Sequence, residues 1–183
     1  MVLLYVGFGN LNAILYPYST GFGCTNYIGN GGTFGAGSNT YLLVNGQSVS
    51  ADTWTGPYAD NGSFSMSTPF RGVKLATITA LDGTANTVAF GETLGGASPD
   101  RDYLITWMGA GCMSSNWGLP SSPSWHTYGS MHNGVVNFSF CDGSVRTFRK
   151  GIATSVGSAD WLAFQQAMGY KDGATPDWSL ITN

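Results

Sequence analysis

The clearest alternation of apolar and polar positions lies between Val136 and Phe148. Val136, Phe138 and Phe140 alternate with Asn137, Ser139 and Cys141, the two-residue period of a half-buried strand. Asp142-Gly143 interrupts the pattern and Ser144–Phe148 resumes it. Asp and Gly tolerate positive φ, so the pair predicts a hairpin closed by a two-residue type I′ turn, with Phe140 facing Val145 and Ser139 facing Arg146. Asn45-Gly46, between the short apolar runs of residues 40–51, predicts a second hairpin. Asp82-Gly83 marks a turn ahead of "NTVAFGE", a strand by its β-branched and aromatic content. "YLITWMGA", residues 103–110, reads as another strand, and a short one is expected near Ser63–Met66, after a surface loop.

Other segments read less sharply. Residues 1–19 are apolar, and periodicity leaves strand and short helix open. Residues 21–37 are dense in Gly and Asn and must turn repeatedly, while residues 112–130, with Pro120 and Pro123, form a long loop. One helix stands out near the C-terminus. Ser158 is placed to cap it and Asp160 favours its first turn. Trp161, Phe164 and Met168 share one face, and Gly169 follows as a C′ residue. The expected fold is α+β: one domain over residues 1–183, with a twisted antiparallel sheet, long Gly-rich loops and a C-terminal helix.

Composition sharpens this picture. Hydrophobic residues make up 43% and aromatics 14%, ample for a core, whereas charged residues make up only 9%. Average soluble domains carry about 25% charged residues. With 27 glycines, the chain looks β-rich, loop-rich and extracellular or self-assembling, and its aromatics argue against disorder. A formal charge of −3 with only seven Lys and Arg lacks the basic footprint of a nucleic-acid binder. No run of 18 apolar residues spans a membrane. The opening "MVLLYVGFGNLNAILYPY" has no basic n-region and is interrupted by Gly and Asn, unlike a signal peptide or an anchor. Three cysteines, Cys24, Cys112 and Cys141, allow one disulfide, most naturally from Cys24 to either of the others.

Candidate chemistry is sparse. Ten extended residues put His132 roughly 30 Å along the chain from Asp142, so a shared site would need the segment to bend or another subunit to intervene. Asp142 reads as a turn residue and His132 as a strand cap bonded to backbone. Glu92 is the sole glutamate and no second carboxylate is fixed beside it, so a paired-carboxylate hydrolase has no anchor. Zinc spacings and G-x-S-x-G are absent, and no residue is singled out as catalytic. Calcium is the cofactor to consider: Asp82, Asp100, Asp102 and Asp142, with Asn86, stand in turns where oxygens can converge on a hard cation. Trp54, Tyr58, Phe64, Trp107, Trp117, Trp125 and Tyr128 fall in or beside loops, where aromatics stack on glycans or bury in a partner.

Three ordered segments carry a resemblance. "SMHNGVVNFSFCDGSVRTF" holds His132, nine residues, then Asp142 and Gly143. "ITALDGTANTVAFGE" holds Asp82, Gly83, Thr84, Asn86, Thr87, Gly91 and Glu92. "CTNYIGNGGTFG" precedes both. Together they resemble the bacterial prepilin-type, processing-associated H-x9-DG proteins (the DUF1559 family), which are pseudopilin-like. The resemblance implies a pilin-like α+β head, a cell-surface or extracellular place and self-assembly into a filament or lattice, with envelope proteins or glycans as further partners. Members of that family begin with a prepilin leader and a long hydrophobic helix, neither of which opens this sequence. Against the structural reading stands a binding module that uses loop aromatics, with or without calcium.

Overall fold

The computed structural model describes residues 4–8, 11–17, 24–33, 41–58, 73–95, 103–106 and 112–183. In chain order the strands are β1 (Leu4–Phe8), β2 (Leu11–Pro17), β3 (Cys24–Thr25), β4 (Tyr27–Asn30), β5 (Tyr41–Val44), β6 (Gln47–Ser50), β7 (Val88–Glu92), β8 (Tyr103–Thr106), β9 (Cys112–Met113), β10 (Val135–Phe140) and β11 (Val145–Arg149). The helices are α1 (Leu75–Ala80) and α2 (Ala159–Met168). The fold is α+β. Its centre is a five-stranded sheet ordered β11-β10-β7-β4-β9, antiparallel except where β9 runs parallel to β4. The sheet is therefore mixed rather than purely antiparallel, because β9 returns to the edge of β4 from a later part of the chain. The apolar N-terminal stretch resolves to strands: β1 and β2 pair antiparallel and join β8 and β3 in a second sheet.

The alternation in β10 does what its period dictates. Val136, Phe138 and Phe140 are buried, while Val135, Asn137 and Ser139 are half-buried on the opposite face. Against the inner face lies α2, with Phe164 6.1 Å from both Phe138 and Phe148 and Trp161 edge-on to Trp54 at 5.5 Å. Each fully buried side chain of this size contributes about 1.5–3 kcal/mol. The C-terminal residues close the outer strand, since Arg149 N donates to Ile181 O and Phe148 bridges to Thr182. An edge that would otherwise recruit another chain is thereby covered.

Local turn chemistry decided the two hairpins differently. Asn45 and Gly46 both have positive φ, 50° and 78°, so β5 and β6 close through the expected two-residue turn. In β10–β11 the register differs by one residue from expectation: Ser139 faces Val145 and Phe138 faces Arg146. Gly143 N donates to Phe140 O and Phe140 N to Ser144 O, which makes Cys141-Asp142-Gly143 a three-residue loop. Gly143 alone takes positive φ, 85°, whereas Asp142 keeps ordinary backbone geometry and caps Ser144 N at 2.9 Å. A second departure is α1, six residues of which two are threonines, with no side-chain cap; no sequence signal marked it. A third is Gly169. The Ser158 cap and the Asp160 first turn stand as expected, but Gly169 leaves the helix extended (φ −71°, ψ 157°) rather than left-handed. It is glycine for room, because a Cβ there would lie 2.3 Å from Asp172 Oδ2. The strand expected near Ser63–Met66 and residues 107–110 lie outside the described residues.

Candidate functional site

The H-x9-DG segment and the Asp82–Glu92 segment meet at one carboxylate. Gly91 is the last β7 residue paired to β10, opposite Phe138. One residue on, the Glu92 carboxylate takes over the role of a strand carbonyl. Its Oε2 accepts Asn137 N at 2.7 Å, and its Oε1 accepts Asn137 Nδ2 at 3.2 Å and pairs with His132 Nε2 at 3.1 Å. The Glu92 side chain is 9% exposed and that of His132 55% exposed. His132 thus caps through its ring onto a carboxylate, not onto the backbone group expected for it. Its loop is tied from below as well: Lys150 Nζ donates to Ser130 O and His132 O, and Ser130 Oγ accepts His132 N and donates to Val135 O. Gly91, beside Glu92, lets Tyr128 and Phe138 close over the strand; a Cβ would lie 2.5–2.6 Å from their rings.

The other residues of these segments tie the main chain. Asp82 Oδ2 and Oδ1 accept Asp172 N and Gly173 N at 2.9 and 2.8 Å, fastening the segment after α2 to the turn before β7. Gly83 supplies that turn at φ 87°, Asn86 Nδ2 donates to Asp82 O, and Thr87 Oγ1 donates to Gly83 O. Thr84 sits half-buried in the same turn. Asp142 Oδ1 accepts Ser144 N and Oγ, and these bonds hold its carboxyl below the usual range. What Asp82 and Asp142 hold is main chain and hydroxyl. No group of three or more His, Cys, Asp or Glu that could hold a metal ion occurs among the described residues, and Asp100 and Asp102 lie outside them.

The aromatics divide. Trp54 and Tyr128, expected in loops facing a ligand or partner, are core residues; Tyr128 is fully buried and its hydroxyl donates to Met113 O at 3.1 Å. Tyr58 is half-buried, its ring 5.0 Å from that of Phe90 on the outer face of the sheet. Trp117 is 42% exposed. With half-buried Trp125 it flanks His126 edge-on, at 5.6 and 4.9 Å, while His126 Nδ1 meets Ser124 Oγ at 3.0 Å. Burial lowers the His126 pKa, which favours a neutral ring. Phe64 and Trp107 lie outside the described residues. Cys112 and Cys141 are free thiols, so the disulfide that the sequence allows from Cys24 to either is not made. Burial pushes both thiols up, that of Cys141 to about 11 with Asp142 adding to the effect.

Sequence reading passed over a polar network inside the core. Gln165 is fully buried on α2; its Oε1 accepts Thr33 Oγ1 at 2.9 Å and Ser115 Oγ, and its Nε2 donates to Ser115 O at 3.0 Å. Asn30, equally buried, donates to Val88 O and Met168 O and accepts Gly32 N. One signal for Gln165 was present: it lies four residues after Trp161, inside the apolar face.

Chemically, a carboxylate-oriented imidazole half-open to solvent is one part of a general base, which needs a substrate or nucleophile across from it. Among the described residues the His132 ring hydrogen bond is to Glu92, and Ser130 Oγ turns to Val135 O instead. The arrangement works as a clasp between β7, β10 and the loop entering β10. Also among the described residues, no helix is long and apolar enough to cross a membrane. Compared with models of known families, with curated proteins and with solved structures, the chain matches none.

Proposed function

We propose that this chain is a non-catalytic structural head of the pilin-like, H-x9-DG kind that assembles with copies of itself at the bacterial cell surface. The observation that carries the reading is where the signature side chains point. Glu92, His132, Asp82, Asn86, Thr87 and Asp142 all bind other parts of the same chain, so the segments that resemble the family build a scaffold. The sheet with one helix across its inner face is compatible with a pilin-like head. The outer face adds support: Tyr27 on β4, Phe90 on β7 and Val145 on β11 are exposed on one sheet, in a chain with little charge to keep copies apart. Sedimentation velocity and negative-stain imaging over a concentration series test this. Growth of ordered assemblies, suppressed by Tyr27→Lys with Val145→Lys, is the expected result. A monomer at every concentration refutes it.

A second reading has its own observation. Trp117, Trp125 and the largely neutral His126 gather three rings on the 112–130 loop, with Trp117 open to solvent. Such an uncharged aromatic group suits a glycan. Glycan-array binding lost on Trp117→Ala, with unchanged melting, would favour it; a blank array sets it aside. A melting temperature unmoved by calcium or by a chelator removes calcium from either reading.

A further inference from the structure

We propose that Asp82 and Asp172 form an acid–carboxylate pair sharing one proton, a latch that holds the segment after α2 on the Asp82–Gly83 turn at acidic pH and loosens as pH rises. The geometry is specific. Both Asp82 oxygens face the tail, each accepting a main-chain N–H, from Asp172 and from Gly173. Asp172 Oδ1 accepts Ala174 N at 3.0 Å, while its Oδ2 is sealed from solvent with no hydrogen-bond partner. That oxygen occupies the space left by the missing side chain of Gly169, where a Cβ would lie 2.3 Å from it and 3.2 Å from Trp54 Cα. An ionised oxygen shut in without a donor, beside a second carboxylate, is doubly penalised. A protonated one becomes a donor, and the Asp82 carboxylate, which already accepts Asp172 N, is the acceptor beside it.

The charged groups on the surrounding elements are few. Lys74 begins α1 and Asp82 follows it. Asp52 stands in the 3₁₀ turn Ala51–Trp54, and Asp160 at the far end of α2. On the tail itself Lys171 turns over the Tyr170 ring, 5.4 Å from its centre. Of these, Asp82 acts on Asp172. Burial first and then the Asp82 charge raise the Asp172 pKa from 3.8 to about 7. The folded value lies above the unfolded one. The contribution of Asp172 is therefore fully present at about pH 4 and is lost as pH rises through about 7.

The test uses the full chain and two measurements. Carbon-13 NMR of the Asp carboxyls should show Asp172 titrating near neutrality; a midpoint close to 4 overturns the proposal. Asp172→Asn replaces the acid with a permanently neutral donor. Its melting temperature at pH 8 should exceed that of the unmodified chain by about 3 °C or more, and the difference should vanish by pH 5. A variant no more stable at pH 8, or one that keeps the original pH dependence, overturns it. The Asp172 midpoint should be the same with calcium and with chelator; a calcium-dependent midpoint would make the pair a cation site and refute the latch.

Discussion

Glu92→Ala removes the acceptor on which three donors converge, and the structure ranks their losses. Asn137 N loses a short bond to a charged oxygen, a class contributing about 1.5–3 kcal/mol. Asn137 Nδ2 loses a longer one, and being half-buried it finds water in exchange. His132 loses a contact half-exposed to solvent, where such pairs contribute about 0–1 kcal/mol. The sum is about 3 kcal/mol for Glu92→Ala and under about 1 kcal/mol for His132→Ala. In a domain of this size each kcal/mol moves the melting temperature by about 2–4 °C. Glu92→Ala should therefore melt about 6–12 °C lower and His132→Ala about 1–3 °C lower. The double variant should match Glu92→Ala, since the imidazole has nothing left to hold. Differential scanning calorimetry reads all three. If His132→Ala falls as far as Glu92→Ala, the histidine has a second role and the clasp is misread. If Glu92→Ala is neutral, the carboxylate is not what joins β7 to β10.

Gly91→Ala pushes a methyl group into the Tyr128 and Phe138 rings and should cost about 1–3 kcal/mol by denaturant unfolding, whereas Gly134→Ala, in open space, should cost only its positive-φ strain. Asp142→Ala frees Ser144; because the folded Asp142 pKa is lowered, the stabilisation is present above about pH 4 and fades below it. A melting difference between this variant and the parent that persists at pH 2 would contradict that. Thiol labelling followed by peptide mass spectrometry should find Cys141 slow at pH 8 and Cys112 unreactive until the chain unfolds. Rapid native labelling of Cys112 would place it outside the core.

What the sequence disclosed was local. Asn45-Gly46 sets its own turn because both residues accept positive φ. The β10 alternation sets its own buried face, and Ser158 its own helix start. Asp142-Gly143 misled because the same dipeptide fits a two-residue loop or the end of a three-residue one; closure between Phe140 and Ser144 selects the latter. Gly169 misled because its reason is tertiary: it makes room for Asp172. The resemblance brought Glu92 and His132 forward together, yet nothing in spacing could bring them into contact, since they lie 40 residues apart and meet only once β7 pairs with β10. Trp54 and Tyr128 sit in connecting segments by sequence and in the core by packing, a distinction that loop assignment alone does not carry.

The sparse charge has a consequence that can be measured. Surface ion pairs weaken as salt screens them, whereas bonds from main-chain N–H to a carboxylate at contact distance are much less affected. Here Asp82, Glu92 and Asp142 bind N–H groups of Asp172, Gly173, Asn137 and Ser144. Three of the described cations behave alike. Arg146 lies over the Phe140 and Trp178 rings and donates to Ala85 O, Arg149 donates to Leu180 O, and Lys150 donates to two carbonyls. Charges used this way hold backbone in place rather than one another. Raising sodium chloride from about 0.02 to about 0.5 M should therefore move the melting temperature by less than ~2 °C. His132→Ala should reduce even that small response, because its contact with Glu92 is the half-exposed one. A fall of many degrees with salt would mean that paired charges, not these main-chain ties, hold the fold together.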